Sequence, residues 1–293
     1  MRTGQEMMET ILTFAKNEDS IRIVSMEGSR LNRNVPKDNF QDFDIGYTVT
    51  DIERFKNNED WLDIFGKRVI MQKPEAMLLF PPVWLGKCNK FSYLMVFEDG
   101  NKLDLSLIPL NEFQYYLEER DSLFKILLDK DNRCPVISEP SDINFHVKKP
   151  GNEFVDNCCN EFWLLSTYVT KGLCRKELLY AVKHLNLMKE QMFTMISWKV
   201  GIETGFSLSV GKAYKYLDKY VSKEIWLAIL QSYKNETADE LWDSLIICCN
   251  LFQEAANFVT RELKYQCPGY NKSVINYITR YLPTEKKGKI KIL

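Results

Sequence analysis

The pattern of apolar and polar positions changes part-way along the chain. Short apolar or alternating runs, typical of β-strands, occupy the first 110 residues, and longer stretches with apolar residues at helical spacing follow from about residue 150. The strand-like runs are 21–26, 41–49, 67–72, 91–97 and 102–108, after an amphipathic helix predicted at 4–17. The helix-like stretches are 157–171, 175–200, 211–221, 223–233 and 237–265.

This change in periodicity predicts an α+β protein with two domains. Residues 1–135 are expected to form a mixed sheet flanked by helices, and residues 136–293 an α-helical bundle. The linker is predicted within 133–144, which contains Pro135 and Pro140. Just before it, 111–119 and 121–128 are predicted to form short helices, and Asp51 is predicted to cap an earlier one.

Composition and charge exclude several classes of protein. The 293 residues are 45% hydrophobic and 27% charged with a net charge of −1, which is typical of a globular protein and argues against nonspecific nucleic-acid binding. The eight cysteines show no Cys-x-x-Cys spacing, so no structural zinc site is expected. Neither His146 nor His184 lies near a nucleophile motif, which argues against a Ser–His–Asp hydrolase. No run is long enough to span a membrane and no signal segment is evident, so we expect a cytoplasmic protein with reduced cysteines.

A glycine-containing turn follows the first predicted strand. Gly28 and Ser29 come directly after the apolar run 21–26 and the acidic Glu27. Glycine allows a sharp turn and close approach of a ligand, and the serine and the turn N–H groups can hold phosphate oxygens. Arg30 adds a fixed positive charge whose forked donors suit phosphate. The sequence therefore indicates a phosphate-binding turn.

Two acids share one face of the next predicted strand. Because strand side chains alternate, Asp42 and Asp44 point the same way, while Phe43, Ile45, Tyr47 and Val49 point into a core. Adjacent carboxylates repel each other unless a hard divalent cation such as Mg²⁺ lies between them. The alternative is a pair of solvated acids at the irregular start of a strand, a common arrangement for so short a pattern.

A third acid lies in a predicted hairpin. Asp99 and Gly100 form a turn signal between the runs 91–97 and 102–108. In the returning strand, leucines occupy one face and Asp104 the other. An aspartate in such a run is costly unless it meets a metal ion or a hydrogen-bond donor. The alternative is an edge-strand acid that faces water and prevents aggregation.

Longer motifs around these residues resemble one enzyme family over nearly the whole chain. They include Glu-Gly-Ser-Arg at 27–30, Asn-Phe-Gln-Asp-Phe-Asp-Ile at 39–45, Phe-Glu-Asp-Gly-Asn-Lys-Leu-Asp-Leu at 97–105 and Cys-Cys-Asn-Glu-Phe-Trp at 158–163. They look like those of the aminoglycoside 6-adenylyltransferases, the streptomycin-modifying group of nucleotidyltransferases with a DNA polymerase β-like core. The resemblance implies a nucleotidyltransferase domain followed by a helical substrate-binding domain. It also implies transfer of AMP from Mg–ATP to a streptomycin hydroxyl, with release of pyrophosphate, and hence antibiotic resistance.

The resemblance also implies residue roles. Mg²⁺ and catalysis fall to Asp42, Asp44 and Asp104, and the ATP phosphates to Gly28, Ser29 and Arg30, with Lys212 contributing from the second domain. Glu161 and Tyr168, seven residues apart on one helix face, are candidates for the antibiotic site. The expected partners are the two small-molecule substrates, without nucleic acid or membrane. Two alternatives remain open: a nucleotidyltransferase with another acceptor, such as a protein or nucleic-acid end, and a non-catalytic nucleotide-binding module.

Overall fold

The first half of the chain forms a mixed six-stranded sheet. The structure, a computed structural model, describes residues 2–79, 88–266 and 269–291. Within these ranges the strands are β1 (Ile21–Glu27), β2 (Phe43–Val49), β3 (Arg68–Gln72), β4 (Phe91–Phe97), β5 (Lys102–Pro109) and β6 (Phe124–Asp129). Their spatial order is β3-β4-β5-β2-β1-β6. Only β2 and β5 run parallel, and the other described neighbours are antiparallel. The central β5-β2-β1 strands carry the predicted acids and the turn.

Helices cover this sheet, and their ends follow from local sequence. Helix α1 (Gly4–Asn17) begins with a capping box between Thr3 and Glu6 and buries the apolar side predicted for it. The Tyr47 hydroxyl donates a hydrogen bond of 2.7 Å to the Ile11 carbonyl, which ties α1 to β2. Helix α2 (Ile52–Asn57) has the predicted Asp51 cap. Helix α3 (Phe113–Glu119) follows β5.

The helix predicted at 121–128 is wrong. Residues Phe124–Asp129 instead form β6, which pairs antiparallel with β1. A short apolar run does not distinguish a buried helical turn from a strand by periodicity alone. Here the exposed N–H and C=O groups along β1 decided the outcome, because pairing with β6 satisfies them. The sheet therefore extends one strand beyond β1.

The second half is helical. Its helices in the described ranges are α4 (Asn152–Cys174), α5 (Leu178–Glu203), α6 (Lys223–Gln231), α7 (Ala238–Leu263) and α8 (Asn271–Tyr281). The core lies between α4, α5 and α7, and the adjacent cysteines 158–159 and 248–249 are buried there as free thiols. The helix predicted at 211–221 is wrong: positive φ angles at Gly211 and Ala213 interrupt it, leaving two short 3₁₀ turns.

The chain divides into two compact units, Met1–Asn144 and Phe145–Leu293. All described strands lie in the first unit, and the second has a core of its own. The predicted α+β class, a mixed sheet with flanking helices followed by a helical bundle, is confirmed. The assignment of residues 1–135 to nucleotidyl transfer and 136–293 to substrate binding stays a prediction. In the described ranges we find no helix with the length and apolarity of a membrane span.

Candidate active site

A row of carboxylates crosses three neighbouring strands. Asp44 of β2 lies opposite Asp104 of β5 in the parallel pair and opposite Glu27 of β1 in the antiparallel pair. Residues paired in register point to the same face of a sheet. The three carboxylates accordingly line one cavity of about 310 Å³, whose other lining residues include Glu75, Lys90, Ser92, Ser106 and Tyr116. Asp44 and Asp104, two of the acids predicted for the site, thus lie side by side on neighbouring strands.

Crowding of these acids changes their titration. Burial is the main cause that raises the pKa of Asp44 to about 6, and the negative charges of Asp104 and Asp42 add to it. Burial also raises the pKa of Glu27, although a hydrogen bond of 2.5 Å from the Tyr116 hydroxyl opposes this. Glu27 was not predicted as a site residue. The available signal was an acid at the end of an apolar strand, directly before Gly28.

Asp42 lies just before β2 and is bridged to the row by a lysine. The Nζ atom of Lys102 is 2.6 Å from Oδ2 of Asp42 and 2.8 Å from Oδ2 of Asp104. Burial alone lowers the pKa of Lys102, but the hydrogen bonds to Asp104 and Asp42 raise it overall. Lys102 lies two residues before Asp104 on the same strand face, yet we did not single it out from the sequence.

The donor set suits a hard divalent cation, although no cage is preformed. Asp44 of β2 lies in register with Asp104 of β5, and Lys102 joins Asp104 to Asp42, which lies just before β2. Burial is the main cause of the raised pKa of Asp44, and the charges of Asp104 and Asp42 add to it. Mg²⁺ is bound in proteins by one or a few carboxylates together with substrate phosphates, so a ready-made cage is not required. Over the parts of the chain that the structure covers, no three acidic, histidine or cysteine side chains are already arranged as metal ligands.

The turn after β1 requires glycine. Gly28 has φ +80°, a conformation that side chains rarely adopt. A Cβ atom there would lie 2.2 Å from Oδ2 of Asp44, so the backbone passes directly beside this carboxylate. The Gly28 N–H donates to the Leu123 carbonyl, and a 3₁₀ turn at Ser29–Leu31 follows. The predicted phosphate-binding turn therefore adjoins the predicted metal-binding acids.

Two cations hold the loop after this turn through backbone carbonyls. The Arg30 guanidinium donates to the carbonyls of Asp42 (3.0 Å) and Gln41 (2.7 Å) and lies 3.5 Å from the centre of the Phe43 ring. Two of the guanidinium N–H donors are thus occupied by backbone carbonyls. The contact of Arg30 with phosphate stays a prediction. The Lys37 ammonium donates to the carbonyls of Ser29, Arg30 and Asn32. Lys37 was not predicted from the sequence.

The other predicted residues lie in the helical unit. Glu161 is exposed on α4 and lies on the same helix face as the half-buried Tyr168. The Tyr168 ring packs edge-on against His184 with the ring centres 5.3 Å apart. Lys212 is exposed in the 3₁₀ turn after Gly211. The ligand-binding roles of Glu161, Tyr168 and Lys212 stay predictions.

Comparison with known proteins agrees with the motifs. The family model for streptomycin adenylyltransferase matches residues 1–281. An aminoglycoside 6-adenylyltransferase of Bacillus subtilis is 48% identical over 278 residues, covering 94% of this chain and 97% of that protein. The Campylobacter jejuni protein of that name is 46% identical, covering 96% of both chains. A solved aminoglycoside 6-adenyltransferase from Bacillus subtilis is 41% identical over 96% of this chain and 99% of that one, with a TM-score of 0.47.

The matched range, residues 1–281, spans both units and contains the positions of the carboxylate row and the glycine turn. The chain therefore belongs to the streptomycin adenylyltransferase family and is a nucleotidyltransferase.

Proposed function

We propose that this enzyme is an aminoglycoside 6-adenylyltransferase that transfers AMP from ATP to a hydroxyl of streptomycin. The observation that carries the proposal is the register of Asp44 and Asp104 on adjacent parallel strands, beside the tight turn at Gly28. An anion-binding turn next to paired carboxylates is what transfer of a nucleotidyl group requires. The family and the named relatives support the same reaction.

The residues around the turn would hold the nucleotide. The N–H group and hydroxyl of Ser29, with the bare backbone of Gly28, would bind the β- and γ-phosphates of ATP. Arg30 would add positive charge at this end, in addition to its contacts with the backbone. From the helical unit, the exposed Lys212 would contribute a second cation toward the phosphates.

The three aspartates would bind Mg²⁺ and accept the proton of the acceptor hydroxyl. Asp42, Asp44 and Asp104 supply the carboxylate oxygens that this ion prefers. When bound, Mg²⁺ neutralises phosphate charge and stabilises the attacking and leaving oxygens. The acceptor oxygen forms a bond to the α-phosphorus, the bond from that phosphorus to the β-phosphate oxygen breaks, and pyrophosphate leaves. Asp104, at the end of the row, would either ligate a second ion or take the hydroxyl proton.

Negative charge would select the acceptor. Aminoglycosides are polycations, and the site face carries Glu27, Asp44, Asp104 and Glu75. On the helical unit, Glu161 would pair with a cationic group and Tyr168 would pack against a sugar ring. Streptomycin has two planar guanidinium groups, which bind carboxylates in a forked geometry that an ammonium does not reproduce.

Acceptor choice tests the proposal. Pyrophosphate release is measured with streptomycin and with kanamycin at matched concentrations, with ATP and Mg²⁺. Leaving a buried acceptor unpaired costs roughly 1–3 kcal/mol, so two mismatches with kanamycin amines predict a preference for streptomycin of about a hundredfold or more. Equal rates, or a preference for kanamycin, would show that the acceptor is wrong. Absence of release with any aminoglycoside would refute the reaction itself.

A further inference from the structure

Lys102 holds two of the three proposed metal ligands at once. Its Nζ atom lies within 2.8 Å of carboxylate oxygens of both Asp42 and Asp104. Those two acids come from different segments, one just before β2 and the other on β5. A single ammonium thus contacts two of the three carboxylates that would hold a divalent cation.

We propose that Lys102 is a built-in counter-ion of the cation site, which is displaced when a divalent cation binds. The inference rests on the proposed role of these aspartates in binding Mg²⁺. Asp42 and Asp104 both contact one ammonium, and Asp44 lies in register with Asp104, so without a positive charge among them these three carboxylates repel each other. The ammonium of Lys102 relieves that repulsion and keeps Asp42 directed toward Asp104.

The geometry makes displacement feasible. Side-chain exposure is 36% for Lys102, 37% for Asp42 and 24% for Asp104, so water screens these ion pairs and they hold weakly. The ammonium sits on a flexible four-carbon stem and swings away without movement of β5. Mg²⁺ carries twice the charge and takes carboxylate oxygens as its preferred ligands. An incoming divalent cation therefore replaces Lys102 rather than adding to it.

Displacement lowers the apparent affinity for the cation. If the carboxylates are free of Lys102 in about a tenth of the molecules, the apparent dissociation constant is raised about tenfold over its intrinsic value. Lys102→Met removes the competitor and keeps the stem volume, so we expect about tenfold tighter cation binding. Lys102→Arg keeps a competing cation, because the guanidinium binds carboxylates in a bidentate geometry. This variant should therefore bind the divalent cation no more tightly than the wild type does.

The experiment titrates Mn²⁺ into the intact enzyme and follows the electron paramagnetic resonance signal of free Mn²⁺. Binding that is lost in Asp44→Asn is assigned to this site. Lys90 lines the same cavity and acts electrostatically on Glu27, so Lys90→Met is the matched control: it removes one positive charge from the cavity and keeps the ion pairs of Lys102 with Asp42 and Asp104. Thermal unfolding of each variant checks that it is folded.

Tighter Mn²⁺ binding in Lys102→Met, with little change in Lys90→Met, supports the inference. Unchanged or weaker Mn²⁺ binding in Lys102→Met overturns the inference about Lys102. The proposed metal role of the aspartates would still stand in that case if the wild type binds Mn²⁺ at this site. An equal gain in Lys90→Met also overturns it, because general charge would then explain the effect. If neither the wild type nor Lys102→Met binds Mn²⁺ at this site, the proposed metal role fails as well.

Discussion

Asp44 lies where negative charges converge on one face of the sheet, and this position has a cost in stability. Its pKa is raised from 3.8 to about 6, chiefly by burial and then by Asp104 and Asp42. Between these pH values the folded protein binds more protons at this site than the unfolded chain does. Its contribution to stability therefore falls as pH rises through this window, and the penalty is complete above about pH 6.

We expect Asp44→Asn to be more stable than the wild type at pH 7.5 and to lose AMP transfer. The amide has the same shape without the charge, and removing a buried charge that other carboxylates repel should raise the free energy of unfolding by ~1–2 kcal/mol. Near pH 3.5 the gain should be small, because Asp44 is then protonated in the folded state and mostly protonated in the unfolded chain. Urea unfolding with EDTA present, at both pH values, measures this. A gain that does not change with pH, or wild-type transfer activity, would contradict the assigned role.

Gly28 offers a second test at a single residue. Gly28→Ala places a methyl group against the Asp44 carboxylate in addition to the strain of a positive φ angle. Gly288→Ala is the matched control, because Gly288 has φ +83° and nothing lies within 4 Å of an added Cβ. We expect the control to cost about 1–2 kcal/mol from the backbone conformation alone. Gly28→Ala should cost more and should also raise the KM for ATP; equal costs and an unchanged KM would refute the close approach.

At the scale of elements, the loop between β1 and β2 is held by its own cations. Lys37 donates to three carbonyls of the turn that begins at Ser29, and Arg30 donates to two carbonyls just before β2. Because its carbonyls are drawn toward these cations, the turn can present the Ser29 N–H to a phosphate. The loop thereby couples the glycine turn to the strand that carries the aspartates.

Lys37→Met should therefore weaken ATP binding with little effect on folding. We expect KM for ATP to rise about fivefold, equivalent to roughly 1 kcal/mol, while the free energy of unfolding changes by less than about 0.5 kcal/mol because Lys37 is exposed. Lys67→Met is the control, since Lys67 is an exposed lysine of the same unit that pairs with Glu98. Steady-state kinetics decide: an equal rise in both variants would point to general charge instead of the loop.

At the scale of the whole molecule, each unit has its own core. The largest buried cluster lies entirely within the helical unit, and the clusters around the sheet lie entirely within the first. Buried apolar area drives folding, so a unit that has a core of its own is expected to fold without the other.

We therefore expect a fragment of residues 145–293 to fold alone. Its far-ultraviolet circular dichroism should be helical, and its unfolding in urea should be cooperative. It should show no AMP transfer, because every proposed metal ligand lies in the other unit. A non-cooperative unfolding curve would mean that the two units fold as one.

Much of the fold followed from local pattern. Alternation predicted β2, β4 and β5, because the side-chain period of a strand is a local property. The predicted shared face of Asp42 and Asp44 stays a prediction, since Asp42 lies just before β2. Helical spacing likewise predicted α1, α4, α5, α6 and α7. The motifs around Gly28 and Asp104 were sufficient to indicate the family, which the comparisons confirm.

What the sequence by itself determined was thus the element types over most of the chain, the apolar faces and the identity of the family. Only the tertiary structure decided that 124–129 joins the sheet, that Glu27 stands beside Asp44, and that Lys102 bridges Asp42 and Asp104. The physical reason is the same in each case. These outcomes depend on which strand lies next to which, and pairing between residues tens of positions apart leaves no trace in local periodicity.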